Sequence, residues 1–358
     1  GSTGASRAAI IPPVTGHAPS KGNLVADGQA FPRVTVIMPV YNEAAFIERS
    51  LGAVLAQDYP AERLDVLVVD GGSTDATTAL VSTIAASDPR VRLLDNPGRI
   101  QARAMNVALD HARGAVIARV DGHTIIAPDY VRRCVECLSA TGAQNVGGPQ
   151  RFEATTPLGR AIAAAYRSPF SVPSRFTISQ QAEFVDTVYM GAWPRDVFDR
   201  VGRFDETLAV NEDYELNYRI RRAGGRIYLS PDIRSRYFGR QTVDALWRQF
   251  FRYGAWKCRV LAQHPRSAKL RHFVAPVFVA ALVGGGALGV FSRPARRLWA
   301  LAVGLYALAN GLASLREAAR DQWALLVRLP LVFASMHVAW GSGFWVAALR
   351  RLVRGQWA

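Results

Sequence analysis

Three apolar runs close this chain, at residues 272–291, 298–315 and 329–349. Each is near the roughly 20 residues that a helix needs to cross a bilayer core. Hydrocarbon offers the backbone no hydrogen bonds, so a run that enters it must satisfy its own, and this part of the chain is restricted to helix. Gly284-Gly285-Gly286 and Gly341-Ser342-Gly343 suit close helix packing. His337, inside the third run, is expected to make an interhelical hydrogen bond rather than to act chemically. With the preceding residues on the cytoplasmic side, three full crossings would leave both Arg293/Arg296/Arg297 and Arg350/Arg351/Arg354 outside. That opposes the positive-inside bias, so one run is expected to be re-entrant or to lie in the interface.

A basic stretch precedes these runs. Arg240, Arg248, Arg252, Lys257, Arg259, Arg266, Lys269 and Arg271 are interrupted by one acid, Asp244, within a chain of net charge +15. Basic residues beside membrane segments are drawn to anionic lipid headgroups. They form no recognisable nucleic-acid module, so nucleic acid is not an expected partner. Over 244–263 they alternate with Leu246, Trp247, Phe250, Phe251, Trp256 and Val260. This predicts an amphipathic helix in the membrane interface; a helix packed on a soluble domain is the plainer alternative.

From Arg33 onward the chain reads as alternating strand and helix. Residues 34–38, 64–69, 91–94 and 115–120 are short apolar runs of the kind buried on both faces of a parallel sheet. Residues 44–57 and 101–112 carry helical periodicity, a further helix is expected around 214–223, and Asp75 is placed to cap the helix after the second strand. Parallel β-α-β units with right-handed crossovers follow.

Ligands of open α/β sheets bind beyond the carboxyl ends of the strands, and there the sequence is acidic and Gly-rich. The first strand runs into Pro39-Val40-Tyr41-Asn42-Glu43, without the G-x-G-x-x-G of a dinucleotide site. Tyr41 offers a ring for a base, and Glu43 an acceptor for base or ribose. In Asp70-Gly71-Gly72-Ser73-Thr74-Asp75 the glycines permit close backbone approach, and Asp70 can bind polar edges of a nucleoside. Asp121-Gly122-His123 sets a carboxylate and an imidazole two residues apart, a pair able to share one divalent cation on a diphosphate. Oxygen and nitrogen together suit Mn²⁺ more than an all-oxygen Mg²⁺ shell. Asn211-Glu212-Asp213 supplies a further acidic pair, ahead of Gln249-Phe250-Phe251-Arg252-Tyr253.

Cys134 and Cys137 form C-x-x-C inside a helix-like run, with no second pair to complete a zinc site. Three cysteines make no disulfide framework, which fits a reducing compartment. Residues 1–31 are rich in Gly, Ser, Ala and Pro and begin Gly-Ser like a cloning remnant; they are expected to be mobile and outside the fold.

Over residues 34–259 the order of these motifs resembles the family-2 inverting glycosyltransferases of the GT-A fold, most closely those of succinoglycan and related bacterial exopolysaccharides. P-x-Y-N-E is intact at Pro39 to Glu43. D-D-G-S-x-D becomes Asp70 to Asp75, with Gly71 in place of the second acid. D-x-D becomes Asp121-Gly122-His123, the E-D pair is Glu212-Asp213, and Q-x-x-R-W becomes Gln249 to Tyr253 with Tyr as the aromatic.

The resemblance implies a Rossmann-like GT-A domain over 32–240, an interface helix and basic segment over 241–271, and a membrane domain over 272–358. It implies a UDP-sugar donor bound through Pro39, Tyr41, Glu43, Asp70, Arg99 and Asp121, and a divalent metal, Mn²⁺ or Mg²⁺, on Asp121 and His123. Asp213 would be the general base with Glu212 orienting it, and Gln249, Arg252 and Tyr253 would face acceptor and diphosphate. The acceptor would be a hydroxyl of a polyprenyl-diphosphate-linked glycan at the cytoplasmic face of the plasma membrane. A transferase to polyprenyl phosphate itself, and a non-catalytic nucleotide-sugar-binding scaffold, are the alternatives.

Overall fold

The computed structural model describes residues 31–171 and 174–355; the segment expected to be mobile lies, apart from Phe31, outside them. The first half alternates as read: β1 (Val34–Val40), α1 (Ile47–Leu55), β2 (Leu64–Asp70), α2 (Thr77–Ser87), β3 (Val91–Asp95), α3 (Gln101–His111) and β4 (Val116–Arg119). β3, β2, β1 and β4 lie side by side, all parallel. Both faces are covered. Val34, Val36 and Met38 pack with Ile47 and Leu51 of α1, while Ile37 points the other way, onto Ala102 and Met105 of α3. This period-two division of an all-apolar strand is what a doubly covered parallel sheet requires. Asp75 lies one residue outside the N-cap position of α2, yet its carboxylate accepts the Thr77 N–H at 3.0 Å.

After β4 come β5 (Thr124–Ile126), α4 (Tyr130–Thr141), β6 (Asn145–Gly147), β7 (Arg151–Glu153), α5 (Pro157–Arg167), α6 (Arg175–Ile178), β8 (Glu183–Val185), β9 (Ala192–Pro194) and α7 (Asp196–Val201). α8 (Glu212–Arg222), β10 (Ile227–Leu229) and β11 (Ser235–Phe238) complete the α/β layer. β9 joins the main sheet antiparallel to both β4 and β6, and β10 and β8 extend it, giving the order β3-β2-β1-β4-β9-β6-β10-β8. β5, β11 and β7 make a separate three-stranded sheet beside the carboxyl end of β4. Cys134 is buried in α4 and both cysteines of the C-x-x-C are free thiols, as packing residues should be.

Four helices follow: α9 (Val243–Gln263), α10 (Arg271–Phe291), α11 (Arg293–Arg320) and α12 (Leu329–Arg354). The last three are long and apolar enough to cross a membrane. α10 and α11 form a hairpin whose outer surface is exposed and apolar, with Val283, Leu288, Phe291, Leu298, Leu305 and Leu308 all outward.

α12 differs. It runs antiparallel to α9, so close that a Cβ on Gly254 would collide with the Trp340 carbonyl and one on Gly343 with the Phe251 carbonyl. Gly341 meets the Ala275 carbonyl of α10 in the same way. A core of Leu246 and Phe250 from α9, Ala161 and Ile162 from α5, and Val332, Phe333, Met336 and Trp340 from α12 joins the α/β layer to the helices. His337 makes the expected interhelical bond, with Tyr306 of α11 at 3.0 Å, and a second with the Phe170 carbonyl at 2.7 Å.

Of the two readings of α9, packing on protein describes Leu246, Phe250 and Val260, which are buried, while Trp247 is exposed. The third apolar run is about half buried within the protein, unlike the hairpin. Apolar composition does not distinguish a lipid neighbour from a protein one, and here α9 and α12 cover each other.

Candidate active site

The loops at the carboxyl edge of the sheet are stapled together by their own polar groups. The Asn42 side-chain oxygen accepts the Thr74 N–H at 2.8 Å, and the Asn42 N–H donates to Ser73 Oγ at 2.9 Å. Glu43 N–H donates to Thr77 Oγ1 at 2.8 Å and Ala44 N–H to Asp75 at 3.1 Å. Asp70 is turned inward: its carboxylate accepts the N–H groups of Gly72 and Ser73 and the Ser73 hydroxyl. It therefore builds the turn from beneath. Tyr41 is 54% exposed, an open ring at the mouth of these loops. Arg99, in the left-handed region at φ 58°, lays its guanidinium over Gly72. Pro39, the penultimate residue of β1 and paired opposite Val69, sets where this shelf begins.

Beside the shelf opens a cavity of about 650 Å³. Asp121, His123, Glu212, Asp213, Gln249, Arg252 and Tyr253 all line it. Pro39, Tyr41, Glu43, Asp70 and Arg99 do not; they form the neighbouring shelf. The two are joined by one hydrogen bond, His123 Nδ1 to Glu43 Oε1 at 2.7 Å. The Glu43 carboxylate accepts from Nδ1, and in the neutral ring that tautomer leaves the Nε2 lone pair free for a metal. Gly122 permits this approach, since a Cβ there would press on the Glu43 side chain.

Arg119, absent from the sequence reading, is the electrostatic centre. Its side chain is 8% exposed and donates to Asp121 at 2.7 Å and to Glu212 at 3.2 Å. Burial alone would lower its proton affinity; Asp121 and Glu212 outweigh that and hold it above the ordinary value. Burial would likewise raise Asp121, but the Arg119 charge, then that of His123 when its ring is protonated, hold its carboxyl below the usual range. Glu212 behaves oppositely. Burial, reinforced by the adjoining Asp213, pushes it up to about 7 despite Arg119. Asp213, its neighbour at the start of α8, is half-buried and faces the cavity. Adjacent positions on a helix point about 100° apart, so one carboxylate meets the arginine and the other the cavity. A lone Arg within the apolar run 115–120 was the available signal, since a buried charge requires a partner.

On α9, Gln249, Arg252, Tyr253 and Lys257 recur at helical spacing and share the cavity face. Gln249 donates to the Tyr253 hydroxyl at 2.9 Å and accepts from Tyr166 at 3.1 Å, so the polar side chains of this wall hold one another in place. Lys257 was counted among the basic residues expected at lipid headgroups; it is instead 4% exposed. Arg240, Arg271 and Trp340 also line the cavity without having been singled out.

The donor set suits a divalent cation. Asp121 is held ionised, and the Glu43-oriented imidazole of His123 is the arrangement by which a carboxylate fixes a metal-binding tautomer. Among the described residues no three His, Cys, Asp or Glu side chains gather as a self-sufficient cage. Two protein ligands completed by substrate phosphates is the usual way such metals are held.

Known proteins share this architecture. Residues 35–201 match the family described as Glycosyl transferase family 2. Over 316 residues the chain is 30% identical to the succinoglycan biosynthesis protein ExoA of Rhizobium meliloti (strain 1021), covering 87% of this chain and 93% of that protein. It is 25% identical over 232 residues to the dolichyl N-acetyl-alpha-D-glucosaminyl phosphate 3-beta-D-2,3-diacetamido-2,3-dideoxy-beta-D-glucuronosyltransferase of Methanococcus voltae, covering 63% of this chain and 72% of that one. Among solved structures, the mannosyltransferase PcManGT from Pyrobaculum calidifontis, in complex with GDP-Man and Mn²⁺, superposes with a TM-score of 0.58 at 22% identity. That likeness, which covers 91% of this chain and 88% of that one, is one of fold.

Proposed function

The chain belongs to glycosyl transferase family 2, and from that premise we propose an inverting, metal-assisted reaction at the membrane. A hexose moves from a UDP-sugar to a hydroxyl of a polyprenyl-diphosphate-linked glycan in exopolysaccharide or cell-surface glycan synthesis. The observation that carries this reading is the division between Glu212, buried on Arg119, and Asp213, half-buried in a cavity that Asp121 and His123 also line.

Asp213 accepts the proton of the acceptor hydroxyl as that oxygen attacks the anomeric carbon. The bond to the UDP oxygen breaks on the opposite face, so an α-linked donor gives a β-glycoside. Glu212, fixed by Arg119, holds the first turn of α8 and with it the direction of Asp213. Asp121 and His123 would hold Mn²⁺ or Mg²⁺, which when bound neutralises charge on the diphosphate. Arg252 adds a preorganised cation from the α9 wall, and Arg99 one from the shelf. Tyr41 stacks the base, with Glu43 and the Asp70 turn beside it. The relatives support the product class: one acts in succinoglycan biosynthesis, and the other is named for a dolichyl-linked acceptor.

In the membrane the exposed α10–α11 hairpin is the inserted element, and α12, covered by α9 and α5, lies at the surface under a cytoplasmic catalytic domain. This leaves Arg350, Arg351 and Arg354 on the cytoplasmic side with the anionic headgroups of the plasma membrane. Incubating the full chain with UDP-hexoses or GDP-mannose and a membrane lipid extract tests the reaction. UDP release with a β-linked, lipid-attached product is the expected result; retained α configuration, or turnover only with GDP-mannose, would overturn the respective half.

A further inference from the structure

Unpartnered donors collect at the end of the cavity built by the helical layer. Lys257 of α9 is 4% exposed and lines the cavity, with no hydrogen bond or ion pair among the described residues. Its Nζ lies 3.3 Å from the centre of the Tyr214 ring. A cation–π contact is weak replacement for the hydration a buried ammonium loses. Burial accordingly pulls the amine down to about 7, with Asp213 opposing the shift. Trp340 of α12 lines the same cavity, and its buried indole N–H has no partner. Arg271, at the start of α10, completes this end; it is paired with Asp186, as is Lys269 at 2.8 Å. The acids facing Lys257 are thus Asp213 and the already neutralised Asp186.

Resting on the function proposed above, we infer that Lys257, with Trp340 and Arg271, forms a second anion subsite in this cavity, for the diphosphate of the lipid-linked acceptor. A diphosphate supplies what these groups lack: negative charge for Lys257 and an acceptor for the Trp340 N–H. Two sources of diphosphate exist, the donor nucleotide and the carrier lipid. Position favours the lipid. Asp121 and His123 stand on the sheet side, whereas Lys257, Arg271 and Trp340 come from α9, α10 and α12, the elements that meet the membrane layer. The subsite would anchor the carrier's headgroup at one end and leave its sugar to reach Asp213.

The test measures binding to the full chain in detergent, without turnover, using farnesyl diphosphate, farnesol and UDP with Mn²⁺ as probes. Farnesyl diphosphate should bind and farnesol should not. Lys257→Met should weaken farnesyl diphosphate roughly tenfold or more, the loss expected for a charge-assisted contact, and leave UDP within about twofold. Trp340→Phe, which removes only the N–H, should give a smaller loss of the same selectivity and serves if Lys257→Met does not fold. Equal weakening of UDP and farnesyl diphosphate would move the subsite to the donor. Unchanged farnesyl diphosphate binding in both variants, or binding of farnesol as tight as that of the diphosphate, would overturn it. Because no sugar is transferred, failure here is separate from failure of the glycosyl-transfer reading.

Discussion

Arg119 and Glu212, 93 residues apart in sequence, meet at 3.2 Å with both side chains nearly excluded from solvent. The same guanidinium also holds Asp121, so the last residue of β4 ties the loop of the proposed metal ligands to the helix of the proposed base. Arg119→Met would leave two buried carboxylates without their cation. Breaking a buried pair in this way costs about 3–5 kcal/mol, so thermal unfolding should shift down strongly. Arg119→Lys should recover only part of it, because an ammonium cannot span both acids as the fork does.

Asp213→Asn should lower turnover with a hydroxyl acceptor by about 10²- to 10⁴-fold, the usual worth of a general base. Donor affinity should hold, since the shelf of Tyr41, Asp70 and Arg99 is untouched. Nucleotide titration beside single-turnover transfer checks both halves. A near wild-type rate would point to an acceptor already ionised, such as a polyprenyl phosphate.

Glu212 is raised from 4.5 to about 7 by burial and by Asp213, so folding takes up a proton between those values. Its contribution to stability is whole below pH 4.5 and is lost as pH rises through about 7. Glu212→Gln cannot titrate and should flatten the dependence of the unfolding midpoint on pH across that window. An unchanged slope would show that another group sets it.

Chelation should abolish turnover, with Mn²⁺ restoring it at least as well as Mg²⁺ because His123 offers nitrogen. His123→Ala should lose most activity at little cost in stability, since the side chain is a quarter exposed at the sheet edge. Turnover surviving excess chelator would remove the metal from the reaction.

Gly254→Ala should destabilise by about 1–3 kcal/mol, as overpacking does, because the new methyl collides with the α12 backbone. Gly284→Ala is the matched control, having open space around it. Equal unfolding midpoints for the two variants would contradict the α9–α12 contact.

The strands β1 to β4 and the helices between them were legible because each run is long enough to show its period and ends in a loop of distinctive chemistry. β5 to β11 were not: strands of three or four residues carry no periodicity, and β9 enters the sheet antiparallel through pairings far apart in sequence. Within the site, Asp121, His123, Glu212, Asp213 and the Gln249–Tyr253 wall were found because loops and helix faces declare themselves. Arg119 and Lys257 were missed because each gains its meaning from burial. A charged residue in an apolar strand and a lysine on an amphipathic helix look ordinary until a neighbour closes over them.

The place of Trp340 has a consequence for biogenesis. Every acidic group of the reaction cavity is synthesised before the hairpin, yet one wall comes from α12 and can be added only after the hairpin has been made. A nascent chain halted at residue 320 would hold Asp121, Glu212 and Asp213 beside an unroofed pocket and expose the face of α9 that α12 covers. Completion of the cavity wall is therefore coupled to synthesis of α12, the last helix of the described residues to be made.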